Sequence, residues 1–180
     1  MSCPTELQGI GLTCTDSMGG IKRVLIALRS DVKSITLDEA TGTVTAIEME
    51  EGKTFKEFSF RKQTGSLTST RTIDDAAASN FTTSELTLQF SKADSVKRLA
   101  IEALIAANSV VIVETQLQDE DGALSRYQYM GLQNPVTCTA STSVTGTAFG
   151  DLNGYTITLQ DLEPQYPPFV KAEIVDALVA

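Results

Sequence analysis

Residues 81–108 read FTTSELTLQFSKADSVKRLAIEALIAAN, and along them the apolar spacing switches from that of a strand to that of a helix. Between Phe81 and Phe90, Leu86, Leu88 and Phe90 fall on one side and Glu85, Thr87 and Gln89 on the other. This is the alternation of a half-buried strand. Beyond it Val96, Leu99, Ala100, Ala103, Leu104 and Ala107 recur at helical spacing while Lys97, Arg98 and Glu102 turn away, which predicts one helix over about 92–108. Ser91 or Asp94 supplies a capping oxygen, and Asn108 can close the helix in the left-handed conformation. The small residues Ala100, Ala103, Ala106 and Ala107 let such a helix lie close to a sheet, so its stripe reads as core.

Outward from this segment the chain reads as strands, with 23 Thr placed mostly in alternating stretches where a β-branched side chain suits a pleated face. Lys22–Leu28 is an apolar run of the kind buried on both faces. Ser34–Leu37 and Thr43–Glu50 form a hairpin closed by Gly42, with a bulge near Ala46 reconciling an imperfect alternation. Thr54–Arg61 and Gly65–Ile73 read as the arms of one long hairpin, about 53–73, in which Phe58 and Phe60 share a face and Phe55 does not. Its arms are too polar to be covered on one face throughout, so it is expected to project and meet a neighbouring chain, a solvated hairpin being the plain alternative. Val110–Thr115 and Leu124–Met130 are strands around an acidic tip, Asp119–Gly122, and the stretch Pro135–Leu159 holds two more, joined through a tight turn at Asn153-Gly154. Tyr166–Val170 is extended and barred by its prolines from a central ladder, and the tail EIVDALVA is short, apolar and acidic. The expectation is a single mainly β domain over 1–180 with extended N- and C-terminal segments.

Composition excludes much chemistry. No His occurs among the 180 residues, which removes His-based triads and most zinc centres. A formal charge of −9 argues against broad binding to phosphate backbones. Cys3, Cys14 and Cys138 are an odd set without CxxC spacing, read as reduced thiols with no neighbouring base to make one a nucleophile. The acidic run at Asp119–Gly122 lacks the alternating ligands of a calcium loop and reads as a solvated turn. The glycines at 9, 11, 19 and 20 lack the Lys-Ser/Thr ending of a phosphate loop. The N-terminus does not read as a signal peptide and no run of apolar residues is long enough for a membrane span, so a soluble chain is expected, without catalytic residues, metal or cofactor.

Three segments carry a resemblance: FKEFSFRKQTGSLTSTRTID (Phe55–Asp74), SELTLQFSK (Ser84–Lys92) and TGTAFGDLNGYTITL (Thr145–Leu159). They resemble pieces of virion proteins from phages of gut Bacteroidales, including crAss-like phages. The resemblance implies a tail-tube-like β-sandwich or half-barrel with one flanking helix and a long projecting hairpin. It implies a homo-oligomeric ring in the tail tube or at the head-tail connection, made in the host bacterial cytoplasm and incorporated into the virion. Other tail or connector proteins would be its partners, and DNA would pass through its lumen without sequence-specific binding. Arg61, Lys62 and Arg71 flank the predicted hairpin and, with Leu67, Tyr166 and Phe169, are the candidate inter-subunit contacts; Glu48 and Glu50 are the candidate acidic lining. Solvated surface charge accounts for the same charged residues. A small adhesive or carbohydrate-binding β-sandwich is the competing reading, weakened by the absence of Trp and an aromatic content of 6%.

Overall fold

The computed structural model describes residues 9–10, 18–38, 40–117 and 126–179. It is mainly β, with two sheets and two helices. In chain order the elements are β1 (Ile21–Leu28), β2 (Val32–Asp38), β3 (Thr43–Met49), β4 (Lys56–Phe58), β5 (Gly65–Asp74), β6 (Ser79–Ser91), α1 (Ser95–Ala106), β7 (Ser109–Thr115), β8 (Tyr127–Met130), β9 (Thr137–Val144), β10 (Gly154–Glu163), β11 (Phe169–Val170) and α2 (Ala172–Leu178). A seven-stranded sheet has the order β2-β3-β11-β8-β7-β1-β4, and a four-stranded sheet the order β5-β6-β10-β9.

The apolar runs form interior strands of the larger sheet, β7 and β1 beside the edge strand β4, and both of their faces are covered. Val24 and Ile26 of β1 and Val111 and Val113 of β7 point into one cluster with Leu86, Leu88, Ile157 and Leu159 of the smaller sheet. The intervening Leu25, Ala27, Val110 and Ile112 point the other way, into a second cluster closed by Val175 and Leu178 of α2. A strand buried on both sides needs no polar alternation. By contrast β6 alternates as its sequence reads, with Leu86, Leu88 and Phe90 buried. The β2–β3 ladder shifts register between Thr36 and Leu37, which leaves Thr45, next to the expected Ala46, as the extra residue.

Four expectations are corrected. The arms of the 53–73 hairpin do not pair with each other: β4 is the edge strand beside β1, whereas β5 pairs along its length with β6. The chain therefore crosses from one sheet to the other between them, and Phe55 is buried in one cluster while Phe58 and Phe60 pack against the other. The helix is shorter than predicted. Asp94 caps it by accepting the Lys97 N–H at 2.8 Å, and it ends at Ala107 in extended backbone, before Asn108. A second helix, α2, forms from the apolar tail, whose Leu178 carbonyl accepts the Phe55 N–H at 3.2 Å. Finally, β9 and β10 are joined by a loop over 145–153 in place of a tight Asn-Gly turn. Asp151 organises that loop by accepting the Thr147 and Ala148 N–H groups at 2.9 and 2.8 Å. Cys3, Cys14 and the Asp119–Gly122 tip lie outside the described residues.

Candidate functional site

The residues singled out as inter-subunit contacts occupy separate places. Arg61 and Lys62 are exposed on the crossing between β4 and β5, and Arg61 rims a groove of about 310 Å³ with Phe60, Phe90, Lys92 and Lys97. Leu67 is half-buried on β5 and packs against the core between the sheets. Arg71 is exposed further along β5, its Nε donating to Asn80 Oδ1 at 2.6 Å. Tyr166 is exposed in the connection before β11, and Phe169 is at the margin of exposure on β11, opposite Gln128. Glu48 and Glu50 are exposed on and just beyond β3, where Lys33 lies 3.8 Å from Glu48.

The two charge groups are not opposite each other within one chain. Five ladder steps separate β3 from β4, on the order of 24 Å measured along the sheet. The acidic residues sit towards one edge of the larger sheet, and Arg61 and Lys62 follow the strand at its other edge.

Between β4 and α1 the surface is apolar. Only Ile101 and Leu104 of the helix are buried, whereas Val96 and Leu99 are 75% and 59% exposed. Of the predicted core stripe Val96, Leu99, Ala100, Ala103, Leu104 and Ala107, Leu104 is buried and Ala107 half-buried, whereas the other four are exposed. A groove of about 420 Å³ runs beside it, walled by Ala100, Ala103 and Ala107 on the helix and by Ile26, Leu28 and Phe58 on the sheet. A second groove of about 370 Å³ lies on the other flank, where Phe58 meets Phe90 edge to face at 6.3 Å.

Two buried polar clusters lie outside these surfaces, and neither was singled out from the sequence. In the first, Glu114 on β7, with a fully buried side chain, receives Lys22, Arg23 and Arg126. Burial pushes its carboxyl up, but the three cations outweigh that and hold it below the usual carboxylate range. In the second, Asp161 and Glu163 on β10 bind backbone N–H groups of the segment after β8: Gly131 at 2.9 Å, Gln133 at 2.7 Å and Asn134 at 2.9 Å. The signal for it was present in the sequence, since the alternation through Ile157 and Leu159 continues to residues 161 and 163 on the same face.

Among the described residues no group of three or more Cys, Asp or Glu is placed to hold an ion. Cys138 is half-buried on β9, and burial pushes its thiol up, away from the thiolate a nucleophile requires. No helix is long and apolar enough to cross a membrane among the described residues. No family model, curated protein or solved structure matches the chain.

Proposed function

We propose that this chain is a structural subunit of a phage particle, assembling with copies of itself into a ring in the tail tube or at the head-tail connection. The observation that carries the reading is the outward-facing apolar side of α1. A helix that buries only Ile101 and Leu104 leaves Val96 and Leu99 in water, flanked by apolar grooves that a neighbouring copy can fill. The separation of charge supports it as well. Acidic Glu48 and Glu50 near one edge, and Arg61 and Lys62 beyond the other, suit the head-to-tail contact by which identical subunits close a ring.

In this reading the two sheets make a tail-tube-like β-sandwich or half-barrel. The edge strand β5, turned back on β6, takes the place of the 53–73 hairpin as the element meeting a neighbour. Its outer edge offers unpaired backbone groups, and Arg71 stands exposed along it. The net charge of −9 keeps DNA moving through the lumen, because an acidic lining does not hold phosphates. Other tail or connector proteins stack above and below. The chain carries out no bond-making chemistry, and its place is the virion.

The test is negative-stain imaging and light scattering of the purified full chain. Closed rings or stacked tubes with a central channel are expected. A chain that stays monomeric at high concentration and binds glycans would overturn the reading in favour of an adhesive module.

A further inference from the structure

The face of the four-stranded sheet that looks into the core is apolar at one end and polar at the other. Along β6 and β10, Phe90, Leu88 and Leu86 and their neighbours Ile157 and Leu159 give way to Ser84, Thr82, Asp161 and Glu163. The register sets Ser84 opposite Asp161 and Thr82 opposite Glu163, so all four side chains share that face. All are buried: Thr82 and Ser84 are 0% exposed, Asp161 1% and Glu163 5%.

Each carboxylate uses one oxygen on the segment that follows β8. Asp161 Oδ2 accepts from Gly131, and Glu163 Oε1 from Gln133 and Asn134. The second oxygens, Asp161 Oδ1 and Glu163 Oε2, are buried with no hydrogen-bond partner among the described residues, and the same holds for Thr82 Oγ1 beside them. Neither carboxylate takes part in an ion pair among the described residues, in contrast to Glu114 with its three cations. Burial pushes the Asp161 carboxyl up; the Gly131 N–H and the Ser84 hydroxyl opposite it pull the other way, and the charge of Glu163 adds to the rise. Two like charges held together out of water need a counter-charge or a proton.

The donor set selects the counter-charge. Carboxylate and hydroxyl oxygens without nitrogen or sulfur suit a hard cation, and two carboxylates match a divalent one. Magnesium keeps much of its water and demands near-octahedral geometry, whereas calcium accepts irregular cages of roughly six to eight oxygens. Three buried side-chain oxygens on one face of the sheet suit calcium's irregular shell better than magnesium's octahedron, and the remaining ligands would have to come from water or backbone oxygens. We propose that Asp161 Oδ1, Glu163 Oε2 and Thr82 Oγ1 form a calcium-class site at the polar end of the inter-sheet core. The bound ion locks the 131–134 segment of the larger sheet onto β10 of the smaller one.

The test uses the full chain, dialysed against calcium and then against metal-free buffer, with metal content by mass spectrometry and thermal unfolding with calcium or with EDTA. The expected result is about one calcium retained per chain and a Tm lower in EDTA by on the order of 5 °C, restored by added calcium but not by magnesium. Asp161→Asn/Glu163→Gln keeps carbonyl acceptors for the three backbone N–H groups and removes the charge; it is expected to abolish both retention and response, and Thr82→Val to weaken retention. A chain that keeps no calcium and unfolds at the same temperature in calcium and EDTA would overturn the proposal, whether or not the double variant folds. So would indifference to calcium combined with stability that rises as pH falls, which would assign a proton to the Asp161 carboxyl in place of the ion. A calcium response undiminished in a folded double variant would also overturn it.

Discussion

Lys22 Nζ lies 2.8 Å from Glu114 Oε1, although the Glu114 side chain is wholly buried and that of Lys22 is 49% exposed. Successive residues of a regular strand point to opposite faces, so Lys22 and Arg23 should not reach the same carboxylate. They do because β1 and β7 shift register here, setting Ile21 against Thr115 and Arg23 against Glu114 with Lys22 as the extra residue. Glu114→Ala would leave three cations facing an empty position and is expected to cost about 3 kcal/mol in urea unfolding. An unchanged midpoint would show that water satisfies the cluster equally well. The pH dependence follows from the direction of the shift. The folded chain holds Glu114 below its ordinary value of 4.5, so the stability it contributes is complete above that value and is lost as pH falls through the folded pKa. Glu114→Gln should therefore flatten the acid limb of the stability-pH profile below about pH 4.5, where the wild type declines.

Gly154 pairs with Ser91 at the start of β10, and a Cβ there would stand 1.9 Å from the Phe90 carbonyl oxygen. Backbone cannot yield as a side-chain tip does. Gly154→Ala is expected to destabilise by roughly 3 kcal/mol or to prevent soluble expression, and a variant with wild-type Tm would show that the β6–β10 ladder relaxes freely.

Gln63, on the crossing between the sheets, has φ 64°, a conformation that disfavours side chains with a Cβ. Gln63→Gly relieves this while loosening the unfolded chain, and a gain of up to about 1 kcal/mol is expected. Gln63→Val, with a β-branched side chain at the same φ, should lose stability by a similar or larger amount. Chemical denaturation of the two variants side by side reads the difference.

Leu99 is exposed on the apolar side of α1. Leu99→Glu should change monomer stability by less than about 0.5 kcal/mol, since it removes little intrachain packing. It should nevertheless abolish rings or tubes in negative stain. Assembly unaffected by the charge would place the subunit contact elsewhere. Asp94→Ala is the matched control: by losing the cap it weakens the helix by about 1 kcal/mol while leaving the outward face apolar.

Local pattern was a sound guide wherever one physical requirement determined the spacing. The doubly buried β1, the alternating β6, the bulge beside Ala46 and the opposed faces of Phe55 and Phe58 were all legible, because burial on a pleated surface has a period of two. The helix was legible in type but not in orientation. Val96, Leu99, Ile101, Leu104 and Ile105 surround much of its circumference, and periodicity cannot select which of them meets the core. Of the candidate contacts, Leu67 packs inward, Glu48 and Glu50 lie towards one edge of the larger sheet, Arg61 and Lys62 follow the strand at its other edge, and Arg71 stands on the smaller sheet.

Residue order alone determined a chain of strands with a capped helix after Phe90, no imidazole chemistry and an acidic surface, since these depend on side-chain type and near-neighbour spacing. Only the tertiary structure decided that β4 and β5 part company for different sheets, that the apolar tail becomes α2 under Phe55, and that Glu114 and Asp161 are buried with such different company. The reason is that strand partners and buried charges are chosen by contacts between residues far apart in the chain, whose closure local propensity does not encode.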